Sequence, residues 1–89
     1  MITLSEAFKL LDLEEECLYM RNYKDAWQYD EYFWSENIKK YFDMKKIRVI
    51  KIDRHFTYDE ESGKYYTLLI NLTREEIKKA SREINKKYY

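Results

Sequence analysis

The chain has 89 residues, 45% of them apolar and 38% charged, and its seventeen basic and seventeen acidic side chains cancel. That length fits one domain, 1–89, around a single thin core, while the lone glycine (Gly63), the absence of proline and the lack of any apolar run near the roughly 20 residues that span a bilayer argue against linkers and membrane spans. The zero total hides a split, with nine acids against three bases in residues 1–36 and fourteen bases against eight acids in residues 37–89.

The first helix starts at Thr3-Leu4-Ser5-Glu6, a capping-box pattern, and Leu4, Ala7, Phe8 and Leu11 recur at helical spacing up to an end near Asp12 or Leu13. After Glu14-Glu15-Glu16, the run Cys17-Leu18-Tyr19-Met20-Arg21 predicts a strand with Leu18 and Met20 on one face. Residues 22–36 show no clean period and predict an irregular or partly helical excursion that carries exposed rings. Ser35 is expected to cap a short middle helix that turns Ile38, Tyr41 and Phe42 inward.

The clearest pattern is a β-hairpin, 47–58 and 65–72, around a turn at 59–64 in which Gly63 is free to take positive φ. Ile50, Ile52, Phe56 and Tyr58 share one face of its first strand, and Tyr66, Leu68, Ile70 and Leu72 alternate inward on its second. Adjacent apolar Val49 and Ile50 break the phase, which predicts a bulge or burial on both faces. A second capping box, Thr73-Arg74-Glu75-Glu76, opens the last helix, whose apolar stripe is Ile77, Ala80, Ile84 and Tyr88. The expected fold is α+β: a small antiparallel sheet, the hairpin plus a short strand near 17–21, packed by an N-terminal, a short middle and a C-terminal helix.

Chemistry-bearing residues are few. Cys17 and His55 are each the sole residue of their type and neither lies in a motif, so no cysteine-hydrolase pair or zinc pattern is readable. Asp53, Asp59, Glu60 and Glu61 gather around the hairpin without the spacing of a calcium loop. One glycine excludes a phosphate loop or dinucleotide fingerprint. No catalytic residue, metal or cofactor is expected, and the chain is expected not to be an enzyme.

The main interaction signal lies in 25–36, where Asp25, Trp27, Tyr29, Asp30, Glu31, Tyr32, Trp34 and Glu36 set carboxylates among large rings, although Trp27, Phe33 and Trp34 would equally serve to cap the open face of the small sheet. Tyr and Trp dominate many protein interfaces, and acids spaced among them suit a basic groove that normally holds nucleic acid. An alternative is a nucleic-acid-binding or regulatory domain in which Arg48, Lys51, Arg54, Lys78 and Arg82 form one basic patch toward phosphates. A third reading is a structural subunit, a homo-oligomer whose acidic and basic halves pair between copies.

The segments Ile2-Thr3-Leu4-Ser5-Glu6-Ala7-Phe8-Lys9-Leu10-Leu11, Leu18-Tyr19-Met20-Arg21 and Asp43-Met44-Lys45-Lys46-Ile47-Arg48-Val49-Ile50-Lys51-Ile52, in that order, resemble a loose group of small uncharacterised proteins encoded by low-GC bacteria and their prophages. That resemblance carries no activity. In size, acidity at one end and lack of catalytic motifs the chain is similar, in type and not by motif, to phage-encoded inhibitors of host defence, including anti-CRISPR proteins. The likeness implies a non-enzymatic inhibitor that binds a larger host protein, such as a CRISPR effector, and blocks its nucleic-acid-binding surface with the acidic, aromatic face. A single cysteine and a first stretch without the marks of a secretion signal set the expected location in the host cell cytosol, away from membranes.

Overall fold

A computed structural model describes residues 1–12, 17–56 and 64–88; for Cys17, His55, Phe56, Lys64, Tyr65 and Tyr88 the description is of the backbone alone. Among these residues the elements are, in chain order, β1 (Ile2–Thr3), α1 (Leu4–Leu11), β2 (Cys17–Asn22), β3 (Asp30–Trp34), α2 (Ser35–Tyr41), β4 (Arg48–Phe56), β5 (Lys64–Ile70) and α3 (Arg74–Tyr88). The strands form one sheet in the order β1-β4-β5-β2-β3.

This is the α+β architecture that the sequence pattern predicts, with a larger sheet. β4 and β5 are the expected antiparallel pair; Tyr58 and most of the expected 59–64 turn lie outside the described residues. β2 joins β5 in parallel, so the sheet is mixed and not wholly antiparallel. The supposedly irregular 22–36 stretch contains a strand, β3, paired antiparallel with β2. β1 and β2 therefore run the same way with α1 between them, and β3 and β4 run the same way with α2 between them. Parallel strands need such long crossovers, and helices supply them.

The core lies on one side of the sheet. Leu18 and Met20 of β2, Phe33 of β3, Val49 of β4, and Leu68 and Ile70 of β5 meet Leu4, Ala7, Phe8, Ile38, Phe42, Ile77 and Ile84 in one cluster. Each fully buried Leu or Ile there contributes roughly 1.5–3 kcal/mol relative to exposure. The phase break at Val49-Ile50 is a register shift: Val49 pairs with Ile70 and Lys51 with Leu69, which leaves Ile50 over. Val49 and Ile52 consequently take the core side that the alternation assigns to Ile50 and Ile52.

Helix ends follow local chemistry. Thr3 and Glu6 form the capping box, and hydrogen bonds from the Thr3 N–H and hydroxyl hold the Glu6 carboxyl below its ordinary value. Asp12 ends α1 in the left-handed region at φ 53°, which Asp tolerates better than most residues. Ser35 does not cap α2: Trp34 holds the extended N-cap position, and Ser35 is the first helical residue and buried. At α3 the Glu76 N–H donates to Thr73 Oγ1 at 3.2 Å and the Thr73 N–H donates to Glu76 Oε1 at 3.1 Å. Thr73→Ala is expected to lower stability by about 1 kcal/mol, read as a shifted urea midpoint at unchanged slope.

Candidate protein-interaction edge

β3 ends the sheet on one side, and the residues that place it are mostly polar. Asn22, at the end of β2, is buried although it is an amide. Its Oδ1 accepts from the Tyr29 N–H at 2.7 Å, and its Nδ2 donates to the Trp27 carbonyl at 2.8 Å and to Asp25 Oδ2 at 3.4 Å. The Tyr23 and Lys24 N–H groups donate to the Leu72 carbonyl, and Asp25 also accepts from the Arg74 N–H at the start of α3. Through 23–29 the chain is thus stitched to its own neighbours and to α3. This stitching aims Trp27 outward, 76% exposed.

Along β3 the side chains alternate. Phe33 turns into the core and meets Phe42 edge-on, centroids 5.2 Å apart. Tyr32 and Trp34 turn the other way and stay 54% and 60% exposed. Tyr32 lies against Tyr19 of β2, centroids 4.7 Å apart. Beside that pair the Arg21 guanidinium grips Asp30 with two bonds, Nε to Oδ1 at 2.6 Å and Nη2 to Oδ2 at 2.7 Å, and this raises the Arg21 pKa further.

On the helix side of the strand, Glu31 accepts from the Tyr29 hydroxyl and from Ser81 Oγ of α3, the latter at 3.0 Å. Lys78 stands 5.2 Å from the centre of the Tyr29 ring. Burial, the hydrogen bond to Glu31 and the charge of Glu31 together push the Tyr29 hydroxyl from 10.0 up to about 12. An unfolded chain releases this proton near 10, so the stability tied to it is complete below that pH and is lost as pH rises toward about 12. Absorbance titration should show the Tyr29 tyrosinate forming late, and Tyr29→Phe should remove that late step.

Between β3, the start of α2 and the second half of α3 lies a groove of about 620 Å³, lined by Glu31, Tyr32, Phe33, Trp34, Glu36, Asn37, Ser81, Ile84 and Asn85. Sequence reasoning misses Ser81, Asn37, Asn85 and Asn22. A signal for Ser81 exists: Ile77, Ser81 and Ile84 are spaced i, i+4, i+7, so a hydroxyl occupies the apolar stripe of α3 and needs a buried partner.

The acids of 25–36 therefore divide from the rings. Asp25 stitches the loop to α3, Asp30 belongs to Arg21, Glu31 holds two hydroxyls, and Glu36 pairs with Lys40 one turn on at 3.3 Å. Trp27, Tyr32 and Trp34 project outward, and Tyr29 is half-buried. The acidic and basic halves of the chain are not separated in space as they are in sequence. α3, from the basic half, packs against β2 and β3 from the acidic half.

The structure also splits the basic set. Arg48, Lys51 and Arg54 lie on β4, and Lys78 and Arg82 lie on α3, with β5 and β2 between β4 and the β3 edge that Lys78 reaches. Lys51 sits 3.4 Å from Asp53. Cys17 and His55 fall on β2 and β4, and their side chains lie outside the described residues. Among the described residues no group of three His, Cys, Asp or Glu side chains is placed to hold a metal ion, and no helix is long and apolar enough to cross a membrane. Comparison with protein-family models, with curated proteins and with solved structures finds no match for this chain.

Proposed function

We propose that the chain is a non-enzymatic binding protein that holds a larger protein against the β3 edge. The observation that carries this reading is the exposure of Trp27, Tyr32 and Trp34 along one strand and the loop that leads into it. Single exposed apolar residues are ordinary; three large rings along one edge strand and the loop before it are residue types that anchor interfaces. In its specific form the partner is a host-defence protein in the bacterial cytosol, as for anti-CRISPR inhibitors, and the covered surface is one that otherwise holds nucleic acid.

The internal roles of Asp25, Asp30 and Glu31 change how such an inhibitor works. The rings supply the anchoring area, and exposed carboxylate charge tunes orientation and association rate. Reversing the charge at Asp30 or Glu31 is a poor test, because it breaks Arg21–Asp30 or strands two hydroxyls. The ring variant Trp27→Ala/Tyr32→Ala/Trp34→Ala is the better probe, since none of these rings belongs to the buried core.

With a nuclease-treated lysate of the host bacterium, the native chain should retain a partner that the ring variant loses. The isolated partner should then bind nucleic acid less well in the presence of the native chain. Equal retention by both chains overturns the reading. Binding of random DNA or RNA with a steep salt dependence, unaffected by the ring substitutions, would transfer the function to the basic residues of β4 and α3.

A further inference from the structure

We propose that the groove beside β3 takes an extended basic segment of the partner protein, added to the sheet edge as a further strand with an arginine or lysine directed at Glu31. This rests on the protein-binding reading above and gives that surface its occupant.

Strand addition needs an edge. Among the described residues β3 is the last strand of the sheet; its sequence Asp30-Glu31-Tyr32-Phe33-Trp34 has no proline or lysine, and its one inward-pointing charge, Glu31, guards the edge against acidic and apolar strands but not against a basic one. The opposite edge is held by β1, which is two residues long. An added strand gains main-chain hydrogen bonds along β3, and its alternate side chains fall into the groove or over Tyr32 and Trp34.

Charge selects the strand. Among the described residues the groove lining includes two carboxylates, Glu31 and Glu36, and no lysine or arginine. Glu36 is paired with exposed Lys40, a contact worth little. Glu31 is half-buried, and among the described residues its only hydrogen-bond partners are two neutral hydroxyls, with no ion pair. A carboxylate has about four acceptor positions, so this one is fixed in direction with capacity left for a cationic donor. Lys78 and Arg82 do not line the groove, and Lys78 is placed over the Tyr29 ring.

A second copy of this chain fits worse. Antiparallel self-pairing centred on Tyr32 sets Glu31 beside Phe33 of the other copy, and parallel in-register pairing sets Glu31 beside Glu31; neither brings a cation. An acidic strand meets repulsion. A segment that alternates basic and apolar residues meets a carboxylate and the amides of Asn37 and Asn85 on one side and exposed rings on the other.

The probe is a capped peptide of three Val-Arg repeats, titrated into the native chain and read by its tryptophan fluorescence, to which Trp34 of the groove lining contributes. Saturable binding is expected, with none for three Val-Glu repeats. Glu31→Gln, whose carbonyl oxygen accepts from one hydroxyl and whose NH2 donates to the other, should weaken it about tenfold, the loss of one charge-assisted hydrogen bond. A peptide N-methylated on one alternating set of amides should also bind at least about tenfold more weakly, and this needs no change in the protein.

Failure of the Val-Arg peptide to bind, equal binding of the Val-Glu peptide, or indifference to both Glu31→Gln and N-methylation overturns the proposal. So does a dimer in light scattering that Trp34→Glu dissociates, or an oligonucleotide that competes the peptide away. If the ring variant loses its cellular partner while the peptide shows none of these effects, only this proposal falls and the protein-binding reading stands.

Discussion

Leu68→Ala is expected to remove about 3–5 kcal/mol of folding stability. Leu68 sits in the middle strand of the sheet, fully buried, with Met20 opposite it on β2 and Ile52 opposite it on β4. Both flanking strands are held in register by backbone bonds, so they cannot close over the volume that the missing carbons leave. The truncation thus adds a cavity term to the lost transfer energy. A chain of this length has on the order of 5–10 kcal/mol in total, so the variant should lose between about a third and all of its stability. The control is Leu10→Ala on α1, where the side chain is 73% exposed and a change within about 0.5 kcal/mol is expected. Urea unfolding of both variants decides the matter. Equal small losses would mean that β5 is not the centre of the packed face.

The sequence expresses this core well because it is written in local periods. Leu18 and Met20, and Leu68 and Ile70, alternate on their strands, and Ile77 and Ile84 recur on α3. The two capping boxes are readable for the same reason, since Thr3–Glu6 and Thr73–Glu76 are contacts three residues apart. β3 is not readable in this way. Rings occupy both of its faces, with Phe33 in the core between exposed Tyr32 and Trp34, so the period of two vanishes from a hydrophobicity pattern. The parallel pairing of β2 with β5 leaves no local trace either, because its partners lie far apart in the chain.

The candidate edge is legible to the same degree. Its exposed rings follow from having more aromatic residues in 27–34 than a thin core absorbs. What Asp25 and Glu31 do there does not follow, since each has a remote partner: Asp25 meets Arg74, 49 positions on, and Glu31 meets Ser81, 50 positions on. A charge count along the chain treats such carboxylates as available to a partner. Folding has already given both a structural role. An acidic stretch in a sequence is therefore evidence of an acidic surface only after its internal donors have been found.

Asn22 is where fold and proposed function depend on one side chain. Asn22→Leu is expected to lower stability by about 2–4 kcal/mol, because it leaves the Tyr29 N–H and the Trp27 carbonyl without their partner in a part-buried site. The loop that carries Trp27 and launches β3 would lose its register, so Trp27 and Trp34 would no longer bracket a fixed strand. Asn22→Asp separates hydrogen bonding from shape. The new side chain still accepts from the Tyr29 N–H, but it cannot donate to the Trp27 carbonyl when ionised, and its charge lies close to the Asp25 carboxylate that Asn22 now reaches at 3.4 Å. Both neighbours disfavour the ionised form, so the introduced carboxyl should have a folded pKa above its unfolded value. Its contribution is then complete at low pH and is lost as pH rises through the carboxylate range. The variant should come nearest to wild-type stability in acid and fall furthest below it at neutral pH. A urea midpoint that tracks wild type across that range would show that Asn22 fills space without organising the edge.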